Sequence, residues 1–442
     1  MFRIFVTDYV PSLNKGEATI LEGMLESFKV LGEIEVATLS HHPEIDAPRY
    51  TPKIRIVDAT KCLPISSRSR DYSKVFKMFL SADFMLRHII FSILHKVFGS
   101  KVLSFMRAEI WKEYIEADVI IEGHNGAFGI GAVGIGIPVY LYPLYLPLFA
   151  KAIGKPVVLY GGSIGRPGRL RWFASKAFKF ALDRMDLITL RERISSQNLK
   201  TIGFQGKCVF VTADPAFLLQ PASPERVREI MKQESIEKDS NLLIGMTVTR
   251  KRASMAFPEF SSRWSSYHKH IETLAEVIDH LTGKHNATVI FIPHCIGFAK
   301  ELDDRIVAKD IFQKCQNKEK VKVITNEYSA AELKGLIGQF NLFIGERLHS
   351  VINAMSMGVP SIVISNSADQ RLDIIRMLGQ DDAICFVENL DSEAVLAKIN
   401  DIWSKRDRIK EELKSQVEIM RERARLNGRL LNELLDSRKL RD

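Results

Sequence analysis

The sequence of 442 residues contains five cysteines, Cys62, Cys208, Cys295, Cys315 and Cys385, and no CxxC pair or His-Cys cluster at metal-ligand spacing. This scarcity excludes a disulfide framework and a cysteine-based zinc site. The first residues also lack the basic start, apolar stretch and cleavage site of a signal peptide. We therefore expect free thiols in a cytoplasmic, reducing compartment.

Charged residues are missing from residues 124–150, a stretch long enough to cross a bilayer. A membrane-spanning helix is nevertheless not expected, because glycines and prolines interrupt the stretch. These residues are Gly129, Gly131, Gly134, Gly136, Pro138, Pro143 and Pro147. We expect a buried or interfacial loop followed by a helix.

Low-complexity tracts and long internal repeats are also missing, which argues against disorder and against a solenoid. With 46% hydrophobic and 26% charged residues, the composition is that of a globular protein. The formal net charge of +9 comes from residues spread along the whole chain, so we expect no nucleic-acid partner. A phosphate-bearing substrate is compatible with this charge.

Short apolar runs bounded by turn residues alternate with amphipathic helical patterns in both halves of the chain, as in doubly wound α/β domains. The length exceeds that of one ordinary core. We predict two similar α/β domains facing a cleft, residues 1–220 and 221–395, and a long C-terminal helix, residues 396–442, that packs back on the body. Residues 66–116 depart from this pattern and form a basic, helical insertion. Two interpretations of the insertion stay open: a helical pair packed on the domain, or a surface that contacts anionic lipid.

The strongest local pattern is a strand over residues 341–344, a turn at Gly345 and a helix from about Leu348 to Met357. It places Arg347, His349 and Ser350 at the carboxyl end of a strand and the start of a helix, where anions bind in open α/β sheets. Glu346 either pairs with Arg347 or caps the helix. A salt bridge for Arg347 and a structural role for His349 remain the alternatives.

At these residues the chain resembles the polysaccharide pyruvyl transferase family. The resemblance includes Arg347-Leu348-His349, Ala354 and Gly358 to Pro360 and extends, in the same order as in the family, over about residues 10–380. Its other parts are Asn14-Lys15-Gly16-Glu17, the turn Ser163-Ile164-Gly165, Arg191 with Glu192, Thr212 to Pro215, and Pro293-His294 with Asp303 and Asp304. His124 and Asn125 stand where the family usually has glycines.

The resemblance implies two Rossmann-like domains of the glycosyltransferase-B (GT-B) kind, with phosphoenolpyruvate as donor and a pair of sugar hydroxyls as acceptor. The acceptor would be a glycan or a lipid-linked sugar. Arg347 and Arg191 would bind the two anionic groups of the donor, because a guanidinium pairs bidentately with carboxylate or phosphate. His349 would transfer protons, with His294 as a second candidate against a structural turn histidine.

Further substrate contacts are expected from the following residues: Asn14, Gly16, Ser163, Glu346 and Ser350, and also His124 and Asn125. Arg250 follows a strand and could reach phosphate, although a solvated charge run explains it equally. No cofactor is expected, since phosphoenolpyruvate would be the donor substrate. No metal is expected either, because Asp303 and Asp304 are adjacent on a helix, and such carboxylates point to different faces and are usually solvated.

Two other functions compete with this one. A GT-B glycosyltransferase with a nucleotide-sugar donor is the main alternative, but position 354, eight residues after Glu346, holds Ala where such enzymes often have a second Glu. A non-catalytic binding module is the other. The oligomeric state and the acceptor sugar stay open, as does peripheral contact with the inner face of the membrane.

Overall fold

The computed structural model describes all residues except 11–12, 51, 60–73, 107, 124–136, 166–170, 207, 238–241, 251–261, 298–301 and 441–442. The chain divides into two compact units. The first unit comprises residues 1–12, 24–215 and 423–442, and the second comprises residues 13–23 and 216–422. Each unit is an α/β domain built on one parallel sheet.

The sheet of the first unit has seven strands in the order β3-β2-β1-β4-β5-β6-β7, and the described pairs are all parallel. Its strands are β1 Phe2–Tyr9, β2 Ile34–Ser40, β3 Arg55–Asp58, β4 Val119–Glu122, β5 Val157–Gly162, β6 Leu187–Leu190 and β7 Val209–Val211. Strands β4, β5 and β6 are buried along their whole length because helices cover the sheet.

Several helices lie wholly within the first unit. They are α2 Pro43–Tyr50, α3 Lys74–Phe98, α4 Glu109–Glu116, α5 Ile137–Ala152, α6 Arg171–Leu182 and α7 Arg193–Thr201. The core of this unit joins Phe5, Ile120 and Leu159 of the sheet to Phe91 of α3 and Phe149 of α5.

The sheet of the second unit has six strands in the order β10-β9-β8-β11-β12-β13, again with parallel pairs. Its strands are β8 Leu243–Thr247, β9 Thr288–Phe291, β10 Val321–Val323, β11 Leu342–Gly345, β12 Ser361–Ser365 and β13 Ile384–Phe386. Its helices are α8 Pro224–Gln233, α9 Arg263–Lys284, α10 Asp304–Lys314, α11 Ala330–Ile337, α12 Leu348–Ser356, α13 Asp373–Met377 and α14 Ser392–Ser404.

Two helices belong partly to each unit. Helix α1 (Lys15–Phe28) begins in the second unit and ends in the first, and α15 (Arg406–Lys439) does the same near the C-terminus. The division thus differs from the sequence-based one, which kept residues 13–23 in the N-terminal domain. Residues 13–23 join the second unit because their backbone pairs with the chain after β9: Lys15 N–H donates to the His294 carbonyl at 2.7 Å, and Ile296 N–H donates to the Leu13 carbonyl at 2.9 Å.

The predicted fold class is confirmed: two parallel α/β domains, a helical insertion that includes α3, and a long C-terminal helix. The end of the uncharged stretch 124–150 is buried: Leu146 and Phe149 of α5 lie in the core of the first unit. Within the described residues, no helix combines the length and apolarity needed to span a bilayer. The four cysteines in the described part of the chain are free thiols, as predicted.

Candidate functional site

The junction between β11 and α12 carries the predicted Arg-Leu-His triplet. Arg347 is extended at φ −97° and ψ 110°, and α12 begins at the next residue. Leu348, Val351, Ile352 and Met355 are buried and hold the helix on the sheet, as the sequence pattern predicts. The first turn of α12 therefore lies at the carboxyl end of β11, where its N–H groups carry partial positive charge and favour an anion.

Asp304 holds the side chain of Arg347 in place. Arg347 Nη2 lies 2.5 Å from Asp304 Oδ1, and Arg347 Nε donates to Oδ2 at 3.2 Å. Oδ2 also accepts the backbone N–H groups of His294 at 3.1 Å and Cys295 at 2.9 Å. Within the described part of the chain, Nη1 of Arg347 makes no hydrogen bond, and the side chain is 24% exposed. One edge of an oriented guanidinium therefore remains available to a ligand.

Both members of this pair respond to burial. Burial raises the pKa of the Asp304 carboxyl, and Arg347 and the backbone donors only partly offset this. For Arg347, burial acts to lower the pKa, but Asp304 more than compensates and the pKa is raised. The four donors around Asp304 are those that surround a carboxylate, so we assign the pair as ionised.

His294 follows β9 and is 1% exposed. Within the described residues, neither of its ring nitrogens has a hydrogen-bond partner. Burial, together with the nearby Arg347, His349 and Lys15, lowers the pKa of His294 to about 3. The imidazole is therefore neutral at physiological pH, which argues against its predicted role as a proton donor in the unliganded protein.

The N-terminal loop joins this site from the same unit. Asn14 pairs with Cys295 in an isolated antiparallel bridge, and the Lys15 ammonium lies 2.7 Å from Glu327 with its side chain 4% exposed. A Cβ atom at Gly16 would lie 3.0 Å from Nδ1 of His349, so the absence of a side chain lets the imidazole approach the start of α1. The structure thus brings together Asn14, Gly16 and His349, as well as His294 and Arg347.

Two predicted ligand residues have structural partners instead. Glu346 is 2% exposed, and its Oε2 accepts the Thr249 N–H at 2.7 Å. Its Oε1 lies 2.7 Å from His270 Nε2, within ion-pair distance but without hydrogen-bond geometry. Ser350 is fully buried and donates to the Arg347 carbonyl at 2.6 Å. Glu346 therefore anchors the chain after β8 rather than the Arg347 guanidinium, and Ser350 closes the first turn of α12.

Comparison with known proteins decides the family. The family model for polysaccharide pyruvyl transferase matches residues 14–368, which include every residue of the cluster around Arg347. The chain belongs to the polysaccharide pyruvyl transferase family. Membership makes it a transferase. It is 24% identical over 407 residues, 92% of this chain and 93% of the relative, to the amylovoran biosynthesis protein AmsJ of Erwinia amylovora.

Solved structures with the same fold include a glycosyltransferase from Rickettsia africae, at TM-score 0.56 and 12% identity, covering 97% of this chain and 98% of that one. Another is the UDP-GlcNAc 2-epimerase of Methanocaldococcus jannaschii, at TM-score 0.55 and 13% identity, covering 91% and 93%. At these identities the likeness concerns the fold alone, and it places this family member among GT-B-like proteins.

Arg191 and Ser163 form a separate, buried cluster in the first unit. Arg191 is 2% exposed; its Nη1 donates to Asp214 at 3.0 Å and its Nε to Ser163 Oγ at 2.7 Å. Ser163 in turn donates to Glu192 at 2.9 Å, and Glu192 contacts the Ser195 hydroxyl. Burial raises the pKa of Glu192, while Arg191 opposes the shift. The predicted donor-binding role of Arg191 and Ser163 is not supported by this geometry, because the ends of β5, β6 and β7 enclose both side chains.

The other predicted contacts lie elsewhere or outside the described residues. Arg250 is exposed, and its guanidinium stacks 4.8 Å above the ring of Tyr267. His124 and Asn125 lie outside the described residues. Among the described residues, no group of three or more His, Cys, Asp or Glu side chains is arranged to hold a metal ion.

Two residues of the cluster were missed by sequence reasoning. Asp304 was interpreted as a solvated helix residue, yet it is buried at the first position of α10 and binds Arg347. Lys15 belongs to the Asn14–Glu17 stretch, and no local pattern indicates a role for its side chain. Both residues lie within stretches that carry the family resemblance and at the start of a helix, and this combination is the signal that could have identified them.

Proposed function

We propose that this protein transfers the pyruvyl group of phosphoenolpyruvate to two hydroxyls of a glycan or lipid-linked sugar in exopolysaccharide biosynthesis, with release of phosphate. The observation that carries the proposal is the Arg347 side chain, oriented by Asp304 and open at one edge, beside His349 at the start of α12. The family description supports the pyruvyl group and a polysaccharide acceptor.

The donor carries two anionic groups, a carboxylate and a phosphate. Arg347 presents a planar fork to one of them, and the first turn of α12 adds the partial charge of its N–H groups. The buried Lys15 ammonium contributes to the same positive field, since it acts on His294. The neutral imidazole of His294 can donate one hydrogen bond to the ligand and accept another without adding charge to the site.

His349 is the histidine that we assign to proton transfer. The methylene carbon of phosphoenolpyruvate gains a proton from His349, and the oxygen of one acceptor hydroxyl bonds to the central carbon. That hydroxyl returns its proton to His349. The second hydroxyl oxygen then bonds to the same central carbon. At that step the bond between this carbon and the phosphate oxygen breaks, and the proton of the second hydroxyl leaves with phosphate. The balance is one phosphoenolpyruvate and one diol converted to one ketal and one phosphate, without a redox step.

The test is incubation of the purified protein with phosphoenolpyruvate and nitrophenyl glycosides or lipid-linked sugars. We expect phosphate release and an acceptor whose mass increases by one pyruvyl ketal. Consumption of a nucleotide sugar while phosphoenolpyruvate stays intact would contradict the proposal and favour glycosyl transfer.

The role of His349 is tested separately with His349→Ala. We expect turnover to fall by roughly 10²–10⁴-fold, the usual contribution of a general acid–base group. His285→Ala is the matched control, because His285 is an exposed histidine at the end of α9 in the same unit. Equal activity of the two variants would remove His349 from the mechanism.

A further inference from the structure

Helix α3 has two apolar faces, and one of them packs in the core of the first unit. Phe91 is fully buried and stacks on Trp111, with ring centroids 4.4 Å apart and an interplanar angle of 15°. His88 is 1% exposed, and its ring packs edge-to-face with the rings of Trp111 and Phe149, with centroids 4.6 Å apart in both pairs. The helix is therefore anchored on the unit through this inner face.

The outer face of α3 is apolar and open to solvent. Its residues recur at helical spacing and are between 43% and 68% exposed: Leu86, Ile89, Ile90, Ile93 and Val97. Phe98 and Phe105, on either side of the turn Gly99–Ser104, extend the same run at 47% and 69% exposure. We call these seven residues the α3 stripe. Other exposed large apolar residues in the described chain, such as Ile419 and Trp264, are scattered singly, which is usual for a protein surface.

The charge around the stripe is positive. Among the described side chains of residues 83–106, Arg87, Lys96 and Lys101 are basic and Asp83 alone is acidic. Asp83 is already paired with Arg87 at 2.7 Å. An apolar stripe flanked by cations is the pattern of helices that lie in the plane of a membrane interface.

We propose that the α3 stripe docks on the surface of an anionic lipid bilayer. An anionic lipid surface attracts the Lys and Arg residues that border the stripe, and its acyl region accepts the apolar side chains. A symmetric contact between two copies of this chain would instead bring the same cations against one another. The proposal does not depend on the reaction that the protein catalyses.

The experiment is co-sedimentation of the full chain with vesicles of phosphatidylcholine or of an equimolar mixture of phosphatidylcholine and phosphatidylglycerol. We expect binding to the mixed vesicles that weakens as salt is added, and little binding to phosphatidylcholine alone. Because the vesicles contain neither phosphoenolpyruvate nor glycan, failure of this proposal is distinguishable from failure of the proposed function.

Two matched substitutions locate the surface. Ile93→Glu removes an apolar side chain from the stripe and adds a negative charge, so we expect binding to fall by about tenfold or more. Ile419→Glu makes the same change at an exposed helical isoleucine of the second unit, 46% exposed, and should leave binding within about twofold. Phe98→Trp gives a second readout, a blue shift of its fluorescence on mixed vesicles, that does not depend on loss of binding.

Four outcomes would overturn the proposal. They are no binding to the mixed vesicles, equal binding to both kinds of vesicle, equal loss in Ile93→Glu and Ile419→Glu, and a self-association in sedimentation velocity that Ile93→Glu abolishes without any vesicle binding by the unchanged protein. The last outcome would assign the stripe to a second copy of the chain.

Discussion

Arg191 and Arg347 occupy similar places in the two units, but only one of them faces outward. Each follows a short parallel strand and precedes a helix, β6 and α7 for Arg191, β11 and α12 for Arg347. Each pairs with an aspartate, Asp214 at 3.0 Å and Asp304 at 2.5 Å. The Arg191 side chain is 2% exposed, whereas that of Arg347 is 24% exposed.

The difference lies in what surrounds the guanidinium. Arg191 is enclosed by Asp214, Glu192 and Ser163, so its charge is compensated and its donors are used inside the unit. Arg347 uses two nitrogens on Asp304, and its third makes no hydrogen bond within the described residues. An arginine at a strand end can thus be enclosed by its partners inside the unit or remain partly exposed, as Arg191 and Arg347 respectively are.

The largest expected effect that would sharpen this contrast is on stability in the first unit. Arg191→Met should lower the free energy of unfolding by roughly 3–5 kcal/mol, because it leaves Asp214 and Glu192 buried without their cation. Arg191→Met/Asp214→Asn should recover part of the loss. Hydrogen exchange of residues 187–190 and denaturant unfolding measure both. A stable Arg191→Met that fails only in turnover would break the contrast and return Arg191 to donor binding.

In the second unit the effect should fall on activity instead. Arg347→Lys replaces the planar fork by a point charge, and we expect kcat/KM for phosphoenolpyruvate to fall about hundredfold, with the free energy of unfolding within about 1 kcal/mol. Arg371→Lys is the matched control, since Arg371 also forks onto an aspartate, Asp369, at 2.8 Å in this unit. Similar losses of activity in both variants would contradict a specific role of Arg347, because they would show that any Arg–Asp pair of this unit affects turnover.

Asp304 should act through Arg347. Asp304→Asn weakens the hydrogen bonds that orient the guanidinium, so we expect KM for phosphoenolpyruvate to rise about tenfold while kcat changes less. The neighbouring Asp303→Asn changes an aspartate that pairs with Arg305 instead. Asp303→Asn should leave KM unchanged. Steady-state kinetics of the two variants therefore distinguish the orienting contact of Asp304 with Arg347 from the mere loss of a negative charge at the start of α10.

The smallest expected effect concerns pH. The folded pKa of His294, about 3, lies below the value of about 6.5 in an unfolded chain, so the unfolded state binds more protons between these values. The free energy of unfolding should therefore fall as pH falls below 6.5, by roughly 1 kcal/mol between pH 7 and 5.5 from this group. His294→Gln should remove that part of the slope in denaturant titrations. Identical slopes would mean that His294 is not buried as a neutral ring.

The sequence was sufficient for the fold class and for the β11–α12 junction, because both rest on local apolar periodicity and a strand–turn–helix pattern. Periodicity correctly placed Leu348, Val351, Ile352 and Met355 inward. The same periodicity does not reveal which charged residues pair with one another. Asp304 lies 43 positions from Arg347, and nothing local distinguishes a carboxylate that binds a distant guanidinium from a solvated one.

Burial of charge was the other property that sequence could not supply. Arg191 and Arg347 have nearly the same local pattern, and the difference between them depends on Asp214 and Glu192 closing around one of them. The family resemblance correctly selected the Arg-Leu-His junction. Its extension to Arg191 as a donor contact stays a prediction that this geometry does not support.

The assignment of residues 13–23 to the second unit has a consequence for how the protein is made. Lys15 and Gly16 emerge from the ribosome early, whereas the chain around His294 and His349 that they contact follows about 280 and 330 residues later. At roughly 5–20 residues per second, the N-terminal segment waits some 15 to 60 seconds for these contacts. During synthesis the start of α1 is therefore without its native contacts. A fragment that begins at residue 216, where the second unit resumes, keeps the strands of its sheet but lacks Lys15 and Gly16 of the anion site.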